Sequence, residues 1–476
     1  MKNYAFFGIS LITFFYSQLS EAQNIYFEKR FGSPGQDNAH SVKQLSDSSI
    51  FVSGFSDNGV LGGVDIAVIK LDRFGNPLWT QYYGDGENNY CLYLNMCSDG
   101  NLILCGETGT SSNGLDIIVI KINTNGDTLW TKIFGTPVNE SAKFIEQTAD
   151  GGFILCGFQN DTSNYNDIYI AKLDSAGNFL WDKNFGGTDN DYADMVHQLG
   201  DGGFIITGDT RSFGAGGYDV ELIRTDSAGI AVWDSTYGDS LANGCQGVLV
   251  TSAGKFLSYG ETEIYPGSPY DFFLDLIDTN GSRIWRRTLG GTGADAIFSV
   301  LETSLHEFIC TGYSSSYNGN NPIDLVIFKT DPLGNMQWVR SYGDTGIDLG
   351  YEIIPARDSG FIAVGTSFST ASQNQYYLLH VNDNGLVAAA NEISPENISF
   401  RVYPNPADKK ICFNNLFTRP VQGKIIDLSG KTLRNYSIIN DRAPCIDTGD
   451  LQDGFYFLQL SDGQQTIRQK VIICRH

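Results

Sequence analysis

The sequence lacks the patterns that mark helical and membrane-spanning proteins. No stretch repeats its apolar residues at the 3.6-residue period of an amphipathic helix. Beyond residue 22 no apolar run reaches the roughly 18 residues that cross a bilayer. Methionine is scarce, with 4 residues against 54 glycines, 24 tyrosines and 30 phenylalanines. Because aromatic residues favour strands, and the many Asp-Gly, Asn-Gly and Gly-Gly pairs favour tight turns, we predict an all-β chain.

The sequence also lacks the motifs of common enzyme classes. Its five histidines are scattered without metal-ligand spacing, and neither a nucleophile elbow nor a glycine-rich phosphate loop occurs. We therefore assign no catalytic residue, and the sequence favours a protein that is not an enzyme. Acidic residues are abundant, so a pair of carboxylates that acts on glycosidic bonds stays open as an alternative.

Positive charge is scarce as well, with 31 Lys and Arg against 54 Asp and Glu. Residues 398–476 contain 11 of those 31 and 7 of those 54, so the rest of the chain carries 20 basic and 47 acidic side chains. Phosphate recognition needs basic residues, so this acidic body argues against nucleic acid or an anionic lipid surface as a partner.

The N-terminus is typical of an export signal. Lys2 supplies a positive start, residues 4–16 are mostly apolar, and small residues at 20–22 precede a predicted cleavage before Gln23. We predict a signal peptide over residues 1–22, Sec-type export, and no transmembrane segment after its removal.

A repeat of about 52 residues runs through most of the chain. All six tryptophans fall in one register, and a glycine follows each of them five residues later. These tryptophans are Trp79, Trp130, Trp181, Trp233, Trp285 and Trp338. Phe27 with Gly32 supplies a seventh copy without tryptophan. Fixed periods of this size are typical of stacked or radial repeat architectures.

Spacing within each unit predicts the architecture. From each tryptophan to the glycine that closes the next apolar run is always 27 residues, and from a recurring aspartate to the next tryptophan is always 14. Length varies only in the loop between that glycine and that aspartate. Four short strands per unit, seven times over, predict a seven-bladed β-propeller over residues 23–387. If the tryptophan strand is outermost, residues 26–31 must complete the last blade and close the ring.

The nine cysteines do not form a disulfide framework, although export would permit one. Cys105 and Cys156 occupy equivalent positions in neighbouring repeats, which lie on different blades and too far apart to bridge. We expect most cysteines to be buried as small apolar residues. In the C-terminal region, Cys412 and Cys445 are the candidate pair for a disulfide.

The repeat core, seen in residues 150–157 and again in 167–181, resembles the propeller repeats of secreted bacterial proteins. Its Asp-x-x-Gly-x-x-x-Trp segment is also similar to the tryptophan-docking motif of quinoprotein dehydrogenases and, more loosely, to the Asp-box of sialidases. Those motifs pack blades together, so the resemblance implies a fold and no reaction.

The C-terminal stretch 398–476 resembles the type IX (Por) secretion C-terminal sorting domain, of type A. Its blocks at residues 401–407, 423–431, 451–458 and 470–473 follow in the family's order. The residues that carry the resemblance are Tyr403, Pro404, Asn405, Pro406, Gly430, Lys431, Gly454, Tyr456 and Lys470. A linker over residues 388–397 separates this domain from the repeats.

The resemblance implies a small immunoglobulin-like β-sandwich that directs passage across the outer membrane of Bacteroidetes-type bacteria. It further implies the type IX secretion machinery as a partner, and a secreted or outer-surface location. Alternating strands with glycine-bearing turns in this stretch agree with a sandwich.

A glycine lies five residues after each tryptophan and after Phe27, and an acid or amide side chain follows five residues after each of these glycines. They are Asp37, Asn89, Glu140, Asp191, Asn243, Asp295 and Asp348. We consider two roles for them. As a ring at the axial mouth they would offer oxygen ligands to Ca²⁺, whereas as side-chain caps they would hold the turn into each strand, which is the favoured interpretation. No other cofactor is predicted.

The loops of variable length are the second candidate site, because rigid scaffolds place binding on loops. Their aromatic residues are Tyr165, Phe213, Tyr218, Tyr265, Tyr270 and Tyr317. Aromatic planes beside amide donors suit sugar rings, while packing between blades is the alternative role. The sequence therefore predicts an exported module that binds a glycan or a protein. A carbohydrate-active hydrolase or lyase and a structural surface protein without a small ligand remain the alternatives.

Overall fold

The computed structural model describes residues 25–33, 35–58, 60–110, 114–160, 163, 165–317, 323–368, 374–387, 402–403, 409–413, 421–427, 431–438, 445–452, 454–461 and 466–473. The predicted signal peptide and linker lie outside the described residues. Contacts divide the chain into two compact units, residues 1–389 and 390–476. Over the ranges described, no helix has the length and apolar character needed to cross a membrane.

The first unit is built from seven four-stranded antiparallel sheets, each a propeller blade. The first strands are β2 (Asp37–Gln44), β6 (Asn89–Met96), β10 (Glu140–Gln147), β14 (Asp191–Gln198), β18 (Asn243–Val250), β22 (Asp295–Glu302) and β26 (Ile347–Pro355). The second strands are β3 (Ile50–Ser56), β7 (Leu102–Thr110), β11 (Phe153–Asn160), β15 (Phe204–Thr210), β19 (Phe256–Thr262), β23 (Phe308–Ser314) and β27 (Phe361–Phe368). The third strands are β4 (Asp65–Leu71), β8 (Gly114–Ile122), β12 (Asn166–Leu173), β16 (Asp219–Thr225), β20 (Asp271–Ile277), β24 (Asp324–Thr330) and β28 (Gln375–Val381). The fourth strands, which carry the tryptophans, are β5 (Pro77–Tyr83), β9 (Thr128–Phe134), β13 (Phe179–Phe185), β17 (Ala231–Tyr237), β21 (Arg283–Leu289) and β25 (Met336–Tyr342).

The seventh blade takes its fourth strand from the other end of the repeat region. β1 (Phe27–Phe31) pairs antiparallel with β28, with Phe27 opposite His380. Each first strand also contacts the first strand of the next blade, and β26 contacts β2. The seven first strands therefore form a closed ring around one axis, and the predicted closure by the N-terminal strand is confirmed.

Burial follows the position of a strand within its blade. The third strand β4 is buried at six of its seven residues, whereas the fourth strand β5 has no buried residue. Apolar side chains of neighbouring blades share cores, as where Ile50 and Val52 pack with Ile362 and Val364. Blade-to-blade contact therefore supplies the apolar burial that a single four-stranded sheet lacks.

The tryptophans contact the tight turn of the next blade. A Cβ built on Gly177 would lie 2.7 Å from the ring of Trp130, and one on Gly385 would lie 2.7 Å from the ring of Trp338. Gly177 also has a φ of 75°, which side-chain-bearing residues rarely adopt. Two independent features therefore require glycine in this turn: its positive φ and the tryptophan ring packed against it.

A second contact explains the glycine five residues after each tryptophan. A Cβ on Gly84 would lie 2.3 Å from a carboxylate oxygen of Asp65, the recurring aspartate at the start of the third strand. The equivalent aspartates Asp116, Asp219 and Asp324 crowd their own glycines in the same way. Repetition of this contact gives the recurring aspartate a structural role.

The second unit contains two small sheets. One consists of β29 (Val402–Tyr403), β30 (Lys410–Phe413) and β33 (Cys445–Asp447), and the other of β31 (Val421–Ile426), β32 (Thr432–Ile438), β34 (Gly454–Ser461) and β35 (Thr466–Ile473). Ile411 and Ile446 of the first sheet share a core with Ile425 and Leu458 of the second, which is the packing of a sandwich.

The cysteines of the two units differ in state. Cys445 is disulfide-bonded, and Cys412 stands opposite it in the β30–β33 register, at the candidate position named from the sequence. In the first unit, described cysteines such as Cys91 and Cys105 are buried and free. Burial raises the pKa of the Cys91 thiol to about 12, which makes it a poor nucleophile.

The tryptophan–turn contact predicts different costs for two alanine substitutions. Gly177→Ala and Gly151→Ala both place a side chain at a positive φ, but a Cβ on Gly151 meets no atom within 4 Å. We expect Gly151→Ala to cost about 1 kcal/mol through its backbone. Gly177→Ala should cost about 1–2 kcal/mol more, because Trp130 must move. Chemical denaturation of both variants measures the loss of unfolding free energy. Equal losses would contradict the claim that the Trp130 ring requires glycine at this position.

Ring closure predicts that β1 stabilises the whole first unit. Deleting residues 25–32 removes five cross-strand residue pairs and exposes the edge of β28. At about 1 kcal/mol per lost hydrogen bond, we expect a loss on the order of 3–5 kcal/mol of unfolding free energy. A chain that begins at residue 25 is the control. Unchanged thermal unfolding of the deletion variant would contradict closure by β1.

Candidate functional site

Every first strand is interrupted by a β-bulge at the same place. In β2 the pairing with β3 shifts register between Ala39 and Ser41, so one extra residue lies between them. Opposite the bulge stands Gly54, where a Cβ would lie 1.8 Å from the carbonyl oxygen of Asn38. The glycine 27 residues after the tryptophan register is thus fixed by close approach of the first strand's backbone.

The seven bulged residues line one cavity. They are His40, Leu92, Lys143, Asp194, Gln246, Phe298 and Tyr351. The cavity has a volume of about 230 Å³, and Tyr93, Phe144, Met195, Ser299 and Glu352 complete its lining. Since all seven blades contribute and the first strands surround the axis, we call it the axial pocket. Unlike the framework, its wall differs in chemistry from blade to blade.

One side of the axial pocket is aromatic. His40 stacks on Tyr351 with ring centres 4.8 Å apart and planes at 8°, and Phe298 lies 5.4 Å from Tyr351. Phe55 extends the series beyond His40, and Tyr313 extends it beyond Phe298. We call these five rings, from blades 1, 6 and 7, the aromatic arc. Burial lowers the pKa of His40 to about 4, so its imidazole is neutral at physiological pH.

The opposite side is polar and charged. Lys143 Nζ lies 2.6 Å from a carboxylate oxygen of Asp194 on the neighbouring blade, and Gln246 follows on the next. Burial raises the pKa of Asp194, although the Lys143 charge acts against this rise. Burial acts to lower the pKa of Lys143, but the Asp194 charge, the hydrogen bond to Asp194 and the Asp209 charge together outweigh it, and the pKa is raised.

More carboxyl groups surround this ion pair. Burial, together with the Asp194 charge, raises the pKa of Asp209 well above its ordinary value and that of Glu261 to about 7. Burial also raises the pKa of Glu107. Asp209 accepts a hydrogen bond of 2.5 Å from the Cys245 amide and so joins blades 4 and 5. We call Glu107, Asp194, Asp209 and Glu261 the acidic cluster.

Glu352, the other acid of the pocket lining, is fully engaged by the protein. Its carboxylate accepts hydrogen bonds from Ser41 Oγ at 2.7 Å, the Val42 amide at 2.6 Å, Tyr93 OH at 2.8 Å and Lys43 Nζ at 2.5 Å. These donors come from blades 1 and 2, while Glu352 belongs to blade 7. Four donors saturate the carboxylate, which therefore stabilises the ring beside the aromatic arc.

The acid and amide residues of the predicted axial ring are buried where their first strands begin. All five carboxylates accept a hydrogen bond from the backbone amide four residues earlier, as Asp191 does from Gly187 at 3.0 Å. The amides of Asn89 and Asn243 donate to the carbonyl oxygen two residues earlier. These are the contacts that the capping interpretation requires.

The Ca²⁺ role of that ring stays a prediction. Within the ranges that the structure describes, no group of three or more His, Cys, Asp or Glu side chains is arranged to hold a metal ion. The seven bulged residues that line the axial pocket are those three positions further along each first strand.

The predicted loop aromatics divide into two groups. Tyr165, Phe213 and Tyr265 are exposed at 40%, 45% and 59% of their surface. Tyr317 instead packs on Phe272, and its hydroxyl donates to the Gly290 carbonyl at 3.0 Å. Tyr218 and Tyr270 are partly buried, and Arg211 lies over the Tyr218 ring at 5.0 Å. Three of the six side chains are therefore exposed and three are partly buried.

A larger cavity, of about 690 Å³, lies between blades 4 and 5 near the opposite ends of the strands. Several of its polar side chains are already bonded. Arg224 pairs with Asp201, Asp226 caps its own turn by accepting from the Ala228 amide, and the Trp233 indole donates to the Thr279 carbonyl. We therefore place the candidate site in the axial pocket.

The predicted sorting-motif residues fall in the second unit. Tyr456 donates from its hydroxyl to the Gln452 carbonyl at 2.8 Å, and the Lys431 amide donates to Asp427 at 3.0 Å. Gly454 begins β34, while Tyr403 and Lys470 lie in β29 and β35. Pro404, Asn405, Pro406 and Gly430 lie outside the described residues.

Comparison with known families agrees with this assignment. The family described as "Secretion system C-terminal sorting domain" matches residues 401–474. The C-terminal unit is a Por secretion sorting domain. A protein with this sorting domain is recognised by the type IX secretion machinery and is secreted or displayed at the cell surface.

The propeller that precedes the Por sorting domain has distant relatives. Regulatory protein FlaEY of Caulobacter vibrioides is 24% identical over 325 residues, which cover 54% of this chain and 34% of FlaEY. The chain thus spans about a third of the length of that relative.

Two solved structures illustrate the likeness in fold. An ulvan lyase of a polysaccharide lyase family superposes with a TM-score of 0.49 at 13% identity, over 76% of this chain and 98% of the lyase. The β-propeller domain of a protease from Pyrococcus furiosus gives 0.41 at 9% identity, over 72% and 96%. At these values the likeness concerns the fold alone.

The acidic cluster predicts a pH dependence of stability. The native state holds the Glu261 proton up to a pKa of about 7, whereas the unfolded chain loses it near its ordinary value, so stability falls as pH rises through that window. We expect the loss from Glu261 to be on the order of 2–3 kcal/mol between pH 4.5 and 8. Glu261→Gln should remove that part of the slope.

Urea unfolding at pH 5 and pH 8 measures this effect, with Glu263→Gln in the adjoining loop as control. A slope that is the same in wild type and Glu261→Gln would contradict burial of a protonated Glu261.

Proposed function

We propose that the propeller binds a glycan and that the end of the glycan enters the axial pocket. The observation that carries this proposal is the division of the pocket wall into two opposed halves. The aromatic arc offers ring faces to the apolar face of a sugar, while Lys143, Asp194 and Gln246 offer a donor, an acceptor and an amide to its hydroxyl groups.

The size of the pocket favours one sugar ring at a time. Its volume of about 230 Å³ lies below the roughly 300–1,000 Å³ typical of pockets that enclose drug-sized ligands. A terminal residue, with the remaining chain directed along the axis, is the ligand geometry that this volume supports.

Differences between blades support binding at the axis. A side chain that only filled space between identical repeats would recur, as the tryptophan, glycine and aspartate of the framework do. The bulged positions instead hold seven different residue types. Such variety favours recognition of a particular ligand, because each blade contributes one different group.

Two substitutions separate the axial pocket from the loops. Tyr351→Ala removes the central ring of the aromatic arc, whereas Tyr265→Ala removes the most exposed of the predicted loop aromatics. A glycan array with the purified propeller identifies the ligand, and calorimetry measures its affinity. We expect Tyr351→Ala to weaken binding about tenfold, equivalent to roughly 1.4 kcal/mol, and Tyr265→Ala to leave it unchanged.

Thermal unfolding of both variants checks that folding is intact. Loss of affinity in Tyr265→Ala but not in Tyr351→Ala would move the site to the loops. An array without any bound glycan would refute the proposal.

A carbohydrate-active enzyme is the second candidate function for the same pocket. Asp194 and Glu352 both line it, and neither has an acidic counterpart at the equivalent position of another blade. Glycosidic cleavage uses two such carboxylates. Saturation of Glu352 by four donors weighs against this alternative. Release of reducing ends from any polysaccharide, abolished by Asp194→Asn, would establish it.

A further inference from the structure

Carboxyl groups outnumber cations on the polar side of the axial pocket. Of the acidic cluster, Asp194 lines the pocket, while Glu107, Asp209 and Glu261 lie outside the lining and close to the Lys143–Asp194 pair. Lys143 is the one cation among the residues that line the pocket. Lys43, which lies close by, is already paired with Glu352 at 2.5 Å. The polar side therefore carries more potential negative charge than the protein itself neutralises.

Asp194 retains an acceptor that the protein does not use. Only 7% of the residue is exposed, and its Oδ1 accepts from Lys143 at 2.6 Å. Its Oδ2 is buried, and no donor among the described residues reaches it. An unbonded buried carboxylate oxygen costs free energy, which a donor supplied by a ligand would recover. Asp194 is itself one of the residues that line the pocket.

The aromatic arc also favours a cation. The faces of Tyr and Phe rings attract ammonium groups, and rings on several sides of a site form the cages that bind them. His40 is neutral at physiological pH, so its ring adds no positive charge to the arc. The aromatic half and the polar half of the pocket wall thus both favour a positively charged ligand.

From these observations we infer that the axial pocket selects a sugar with a free amino group, whose ammonium lies between the acidic cluster and the aromatic arc. This inference rests on the proposed glycan function and adds the charge of the sugar. Lys143 does not oppose it, because its ammonium is already paired with Asp194 Oδ1 and also acts on Asp209 and Glu107, so one cation faces four carboxyl groups. The excess of acidic residues over the whole propeller attracts the same ligands at longer range.

Three matched oligosaccharides test the inference. Tetramers of β-1,4-linked glucose, N-acetylglucosamine and glucosamine share one backbone and differ at carbon 2, which carries a hydroxyl, an acetamide or an ammonium group. At pH 6.5 we expect the glucosamine tetramer to bind at least tenfold more tightly than the other two. Raising the salt concentration should reduce that preference, because it screens the charge.

Proton release supplies a second readout. Entry of an ammonium favours the ionised form of Glu261, whose pKa is about 7 in the free protein. Glu261 should therefore release a proton when the glucosamine tetramer binds, while any neutral amino group of the ligand takes one up. The calorimetric heat should change with the ionisation enthalpy of the buffer, and the difference between wild type and Glu261→Gln gives the proton released by Glu261. The glucose tetramer should release none.

Two substitutions test whether the preference for glucosamine over glucose depends on the acidic cluster. Glu261→Gln and Asp194→Asn should each reduce the preference for glucosamine over glucose at least fivefold. Glu261→Gln, which lies outside the pocket lining, should leave affinity for the glucose tetramer within twofold. Glu87→Gln, an exposed acid outside the pocket, is the matched control for the change in net charge. If Asp194→Asn fails to fold because Lys143 loses its partner, Glu261→Gln decides alone.

The outcomes separate this inference from the proposed function. Equal affinity for the glucose and glucosamine tetramers overturns the inferred charge and leaves glycan binding standing. An unchanged preference in Glu261→Gln also overturns the inference. No binding of these tetramers, together with an empty glycan array, overturns the proposed function itself and this inference with it.

Discussion

Contact between first strands around the axis is the constraint on which the rest of the propeller depends. Each first strand touches the first strands of two neighbouring blades, and the circle closes because β26 meets β2. The backbones of seven strands can approach one axis only where a neighbouring residue has no side chain. This approach requires a glycine opposite each bulge, because a Cβ there would collide with a backbone carbonyl.

Most of the framework could be predicted from the sequence because each contact recurs in six of the seven blades. Trp130 against Gly177 and Asp65 against Gly84 are repeated contacts, and repetition turns a local packing requirement into a visible spacing. The phase of the repeat also located the last strand of the seventh blade, since residues 27–31 have no partner in their own repeat. The sorting domain was predicted in another way, from a resemblance rather than from packing.

The axial pocket could not be predicted by the same reasoning. His40, Asp194 and Phe298 share a structural position but no chemistry, so no spacing connects them. The capping residues Asp37 and Asp191 were predicted as a candidate site because they recur in every blade. Recurrence in a propeller indicates a structural role. A usable signal was present, since the position three residues after each cap holds a different residue type in every blade, with charged, aromatic and aliphatic residues among them. Bulges themselves leave no mark in a single sequence.

The bulges also bear on how such a propeller can evolve. A bulged residue has no cross-strand partner, so its side chain is free of the pairing and core-packing demands that fix its neighbours. Histidine, leucine, lysine, aspartate, glutamine, phenylalanine and tyrosine are all accommodated at this one structural position. Mutations there can change the wall of the axial pocket while the fold is inherited unchanged, so gene duplication could produce many different pockets on one scaffold.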